Sequence, residues 1–160
     1  MLGAGSFGMP RKSILIVEDN EDDVVLLRRA FNSAEINNPV HVVQDGCSAT
    51  DYLEGKGRFA DREKFPFPSL VLLDLKLPRK SGQEVLQCIR ATAEWSGVDV
   101  TVLVASGHDN DIETALANGA SGYLVKPPKA ADLIDLAQSQ NLQWLQFGKG
   151  KSEAEPVGLE

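Results

Sequence analysis

Three carboxylates and one lysine stand directly after runs of apolar residues. "ILIV" (14–17) runs into Glu18-Asp19-Asn20, "LVLLD" (70–74) ends on Asp74, "VTVLVA" (100–105) leads into Ser106-Gly107, and "GYLV" (122–125) runs into Lys126-Pro127. A buried strand gains nothing by ending on a bare charge, because an ionised group taken out of water is costly unless it is paired. Carboxylates packed together repel unless a cation sits among them, and an all-oxygen cluster with room for water suits Mg2+ better than zinc. A plainer role competes with this chemistry: Asp and Asn are frequent helix N-caps just after a strand, and Asn20 or Asp22 fits that role. Asp74 fits it poorly. The following "LKLP" does not open a helix, and the next helix begins at Ser81 with a cap of its own. Lys126 as ordinary surface charge would have little freedom between a strand and two prolines.

These residues need elements to position them. Strands are expected at 13–17, 40–43, 70–74, 100–105 and 122–125, each followed by a helical pattern. Val24, Leu27 and Phe31 fall on one face of the first helix. Asp45-Gly46 reads as a strand-to-helix turn rather than a hairpin, because the next segment does not alternate. Ser81 and Glu84 form a capping-box pattern ahead of Val85, Leu86 and Ile89. Ile112, Ala115 and Leu116 share a face of the fourth helix, which Asn118-Gly119 stops. The last helix is expected over 130–147, with Trp144, Leu145 and Phe147 at its end. Segment 54–69 is too long and polar for a simple connection, so it is a short extra element or a surface excursion.

Alternating strands and helices predict an α/β fold with a doubly wound, five-stranded parallel sheet and helices on both faces. Ligands of such sheets bind at the carboxyl edge where strand order reverses, so Glu18, Asp19, Asp74 and Lys126 converge if the first strand lies beside the third.

The chain has 160 residues, 42% hydrophobic and 24% charged, enough for one globular core at 13–147, with flexible tails expected at 1–12 and 148–160. A formal net charge of -7 disfavours binding to nucleic acid or to a membrane surface, no apolar run is long enough for a span, and a cytoplasmic protein is expected. Cys47 and Cys88 have no ligand or CxxC spacing and carry no assigned chemistry. No second folded domain is expected after residue 147, so output would run through protein contacts.

"ILIVEDN", "LVLLDLKLPRKSG" and "GASGYLVKP" together resemble the receiver domain of two-component response regulators, in the right order over about residues 13–147. The resemblance implies a flavodoxin-like sheet of order 2-1-3-4-5. It makes Asp74 the acceptor of a phosphoryl group from a phosphohistidine on a sensor histidine kinase. It also implies Mg2+ held by Asp19, Asp74 and the backbone carbonyl of Lys76, with Glu18 acting through water or a less direct contact, and Lys126 pairing with phosphoryl oxygens. Gly82 would stand where the backbone turns sharply after Pro78, and the Lys126-Pro127 bond would be cis. Segment 54–69 resembles an insertion of receivers that partner phytochrome-type kinases, and the last-helix region a homodimer contact.

One position departs from the family. Counting back from Lys126, the switch hydroxyl, usually Thr or Ser, falls on Val104, which can donate nothing. Either Ser106 substitutes by a loop adjustment, or phosphorylation is coupled differently to the output face, and a switching role for Tyr123 then weakens toward that of an amphipathic residue at the core edge. Beside the phosphoryl-accepting regulator, this leaves a receiver-fold interaction module that works largely without phosphorylation. An aspartate-nucleophile phosphatase is disfavoured, since Lys76 stands where such enzymes carry a second acid.

Overall fold

The central strands form where β-branched and leucine-rich runs meet a neighbour on both sides. The computed structural model describes residues 12–148. It holds β1 (Ile14–Val17), β2 (Val40–Val43), β3 (Leu70–Asp74), β4 (Asp99–Val104) and β5 (Gly122–Val125), all parallel, in the order β2-β1-β3-β4-β5. The five α-helices are α1 (Glu21–Ser33), α2 (Gly46–Glu54), α3 (Gly82–Ala91), α4 (Asp111–Ala117) and α5 (Ala130–Ser139). The tails expected at 1–12 and 148–160 fall outside the described residues, apart from Lys12 and Gly148. Among the described residues no helix is long and apolar enough to cross a membrane.

Alternation along the central strands divides the core in two. Leu15, Val17, Leu73, Val102 and Val104 join Leu53, Val85, Ile89 and Ile112 of α2, α3 and α4 on one face. Ile14, Ile16, Leu72 and Leu103 join Leu27 and Phe31 of α1 and Leu133 and Leu136 of α5 on the other. β1 and β3 are buried throughout, as their unbroken apolar runs require, whereas the edge strands β2 and β5 are buried only in part. Order reverses between β1 and β3, where Val17 pairs with Leu73, so one step further in that register sets Glu18 beside Asp74.

The helix ends follow their capping chemistry. Asn20 caps α1 and Asp45 caps α2, accepting from the N–H groups of Asp23 and Ser48, so Asp45-Gly46 is a strand-to-helix turn. Ser81 and Glu84 form the full capping box of α3. Two helices differ from expectation. Leu116 of α4 faces solvent, leaving Ile112 and Ala115 as its buried contacts. The last helix stops at Ser139 because Asn141 takes a left-handed φ of 57°, and Leu142–Phe147 return across α1 to an antiparallel bridge between Phe147 and Ile36. Segment 55–69 is a packed excursion holding one 3-10 turn, Gly57–Phe59. Phe59 and Phe65 meet edge to face 5.3 Å apart beside Tyr52, and Arg62 donates to the carbonyls of Tyr52, Leu53 and Phe65, closing the open end of α2.

Gly82 serves close approach rather than a sharp turn. A Cβ there would stand 2.4 Å from the Asp74 carbonyl oxygen and 2.5 Å from Leu75 Cα, both backbone atoms that cannot swing away. Gly82→Ala is therefore expected to lower stability by about 1–3 kcal/mol. Urea unfolding checks this, and a midpoint equal to wild type would show that the loop yields freely.

Candidate functional site

The carboxyl edge of the sheet gathers the predicted residues. Glu18 follows β1 and is fully buried, Asp74 ends β3 with 4% of its surface exposed, and Asp19 lies exposed beside them. One oxygen from each of these three lies within 4.8 Å of the others. Lys126, just past β5, reaches across to the trio. Its Nζ donates to Glu18 Oε1 at 3.3 Å and to Asp74 Oδ2 at 3.3 Å. The Lys126-Pro127 bond is cis, as the resemblance implies. The Lys76 N–H donates to Asp74 Oδ1 at 3.0 Å, which fixes the carboxylate plane, while the Lys76 side chain points to solvent.

A third carboxylate on the lysine was not foreseen. Asp23 Oδ2 accepts from Lys126 Nζ at 3.2 Å. Asp23 lies in the first turn of α1, three residues past the cap Asn20, and so hangs over the end of β1. The one signal for it in the chain is that spacing, and acids in a first helical turn are common enough to hide it.

The other predicted residues stand apart from this cluster. Val104 ends β4 and is buried, so its methyls fill core where a hydroxyl would need a partner. Ser106 is exposed on the following loop, and its Oγ accepts from the His108 N–H at 3.0 Å. Among the described residues no hydrogen bond links Ser106 to Glu18, Asp74 or Lys126. Tyr123 of β5 faces outward.

Three carboxylates on one ammonium leave the cluster negative, and two protonation equilibria record it. Burial first, then hydrogen bonding with and repulsion from Asp74, push the Glu18 carboxyl up to about 7, against the pull of the Asn20 N–H and Lys126. Burial works against the charge of Lys126, but the carboxylates of Asp74 and Glu18 outweigh it and hold its pKa above the ordinary lysine value. An oxygen-only trio with one exposed member and a surplus of negative charge fits a hard divalent cation that keeps some of its water.

An acidic trio and a lysine at the switch point of a 2-1-3-4-5 sheet define a receiver-type fold. Residues 14–138 match the family of the response regulator receiver domain, and the chain belongs to it, a signalling module of two-component systems rather than a classical enzyme. It is similar to the probable methanogenesis regulatory protein FilR2 of Methanothrix harundinacea, 35% identical over 144 residues with 88% of each chain covered. It is also similar to the response regulator Rcp1 of Synechocystis, 32% identical over 137 residues covering 86% of this chain and 91% of Rcp1. Among solved structures, the bacteriophytochrome response regulator RtBRR superposes with a TM-score of 0.78 at 34% identity, covering 88% of this chain and 84% of that one. The Mn2+-bound form of Rcp1 superposes with a TM-score of 0.67 at 31% identity, covering 86% of this chain and 97% of that one.

The raised Glu18 carboxyl gives a pH signature. Its folded pKa of about 7 lies above the ordinary 4.5, so the folded state binds that proton more tightly than the unfolded chain. The stability this confers is fully present below about 4.5 and is lost as pH rises through about 7. In metal-free buffer Glu18→Gln should therefore gain on wild type by about 1–2 kcal/mol between roughly pH 5 and pH 8. Urea unfolding at a series of pH values checks it, and parallel curves for the two proteins would refute it.

Proposed function

We propose that the chain accepts a phosphoryl group at Asp74 from a phosphohistidine of a sensor histidine kinase. The observation that carries this reading is the Asp74 carboxylate, buried yet held between the Lys76 N–H and the Lys126 ammonium. The Asp74 oxygen supplies the electron pair for the new P–O bond while the P–N bond to the imidazole breaks. That pair leaves on the imidazole nitrogen, which then takes a proton from solvent. Phosphoryl transfer needs little covalent help, so the work of the site is positioning and neutralising charge on the equatorial oxygens. The Lys76 N–H holds the nucleophile in one plane, and Lys126 offers N–H donors on the side where those oxygens arrive. Glu18, Asp19, Asp74 and the Lys76 carbonyl would hold Mg2+, which supplies further positive charge to the phosphoryl oxygens.

The kinase partner is taken to be of the phytochrome type, on the likeness to the bacteriophytochrome response regulator RtBRR. Signalling runs through protein contacts on the α4–β5–α5 face, where Leu116, Tyr123, Val125 and Ile134 are exposed, and a homodimer through this face and the last-helix region is one form of it. The protein acts in the cytoplasm, as a receiver spanning 13–147.

Val104 favours a second reading, in which the receiver works as an interaction module largely independent of phosphorylation. No hydroxyl stands at the end of β4 to bond a phosphoryl oxygen, and Ser106 lies exposed on the following loop, its Oγ accepting from the His108 N–H.

Incubation with acetyl phosphate and Mg2+ followed by intact mass separates the two readings. A phosphoryl adduct is expected on wild type, absent from Asp74→Asn and from chelator-treated protein; no adduct on wild type would leave the second reading. Val104→Thr should cost about 1–3 kcal/mol in the unphosphorylated state, where the buried hydroxyl lacks a partner. The same substitution should strengthen self-association of the phosphorylated form. Identical sedimentation of the two phosphorylated proteins would sink that expectation.

A further inference from the structure

Every donor of the Lys126 ammonium is taken. An ammonium has three N–H donors, and here each has its own carboxylate: Glu18 at 3.3 Å, Asp23 at 3.2 Å and Asp74 at 3.3 Å. If Asp74 receives a phosphoryl group, which rests on the proposed function, Lys126 can turn to the new oxygens only by releasing a donor from one of the three.

The three partners differ in what release would cost. Glu18 has no exposed side-chain surface, so parting it from Lys126 takes a partner from a buried group that solvent does not reach. Asp74 is the group being modified and stays covalently in place. The Asp23 side chain is 27% exposed and sits on the first turn of α1, where its carboxylate can rehydrate and where negative charge also favours the helix N-terminus. Asp23 is also the one partner of the three borne by a helix rather than by the end of a central strand.

We infer that Asp23 is a positioning residue that holds the Lys126 ammonium in the unphosphorylated protein and yields it to the phosphoryl oxygens when Asp74 is modified. The bond that Asp23 makes opposes phosphoryl entry twice. It occupies the donor that the phosphoryl group needs, and it adds one negative charge to the approach of a dianion. The exchange also loosens α1 from the end of β5, so that occupancy of the site is felt on a helix that bears the exposed Val25 and Leu26.

The test uses the full chain and the small donor acetyl phosphate, whose P–O bond breaks with acetate as leaving group. Asp23→Asn keeps the shape and the backbone N–H that Asn20 accepts from, and removes the charge. The apparent KM for acetyl phosphate is expected to fall about fivefold, the size of one partly screened carboxylate at close range, with little change in maximal rate. Asp23→Glu should restore the wild-type KM. The Lys126 ammonium 15N resonance gives a readout that a merely structural role would leave alone. It should differ between wild type and Asp23→Asn in the free proteins and coincide once both hold beryllofluoride as a phosphoryl mimic.

An unchanged or raised KM in Asp23→Asn, or a Lys126 resonance that differs equally in both states, would overturn the inference while a normal wild-type adduct leaves the phosphoryl-acceptor reading intact. Failure of wild type itself to take up phosphate would overturn that reading and this inference with it.

Discussion

The ammonium of Lys126 shared among three carboxylates is the contact on which the carboxyl edge of the sheet depends. At about 4 Å two unit charges interact by roughly 4 kcal/mol at an effective dielectric of 20, a sizeable share of the 5–15 kcal/mol by which a domain is stable. One lysine cannot offset three acids, with Asp19 a fourth nearby, so the folded protein carries a standing electrostatic cost at this edge. A cation would relieve that cost. Burial first, and then the neighbouring Asp74, push the Glu18 carboxyl up to about 7, and the excess of negative charge around it is what the proposed function turns into affinity for a metal.

The rest of the fold holds this strained arrangement in place. Pairing of Val17 with Leu73 forces Glu18 alongside Asp74, and two apolar faces clamp β1 and β3 so that neither carboxylate can retreat into water. Gly82 brings the start of α3 against the Asp74 backbone, and its N–H donates to the Leu75 carbonyl at 3.2 Å, which pins the loop after the nucleophile. Arg79 accepts a left-handed φ of 70° within that loop, a cost that only a well-determined surround sustains.

Much of this was legible in the chain because strands buried on both faces leave an unmistakable apolar run, and the residues that interrupt such runs must have a reason. The strands at 40–43, 70–74 and 122–125, the Ser81 box and the Asn118-Gly119 stop follow from local chemistry, and the structure has them. The end of the last helix is different in kind. Nothing in "SQNLQWLQF" forbids continued helix, and the break at Asn141 comes from tertiary gain, since Leu142 and Leu145 are buried and the chain pairs with the α1–β2 connection. Asp23 escaped for the opposite reason. An acid in a first helical turn is satisfied by the helix alone, so its second partner shows only once the sheet has brought the end of β5 to the same carboxyl edge as the end of β1.

The sheet's two edges explain how a site without a switch hydroxyl can still be connected to a surface. β2 is covered, because His41 packs 6.0 Å from both Tyr52 and Phe65 beneath the excursion at 55–69. β5 is left open, with Tyr123 and Val125 exposed, and Leu116 of α4 and Ile134 of α5 are exposed as well. Lys126 is the residue after Val125, and its backbone N–H donates to the Val104 carbonyl at 2.8 Å. A hydroxyl at position 104 would link the site to this surface through a side chain. With valine there, the link that remains is the main chain of β5 itself. On the proposed function, any displacement of the Lys126 ammonium toward a new partner would therefore act one residue away from the exposed Val125 and on the strand that carries it, without a relay through Ser106.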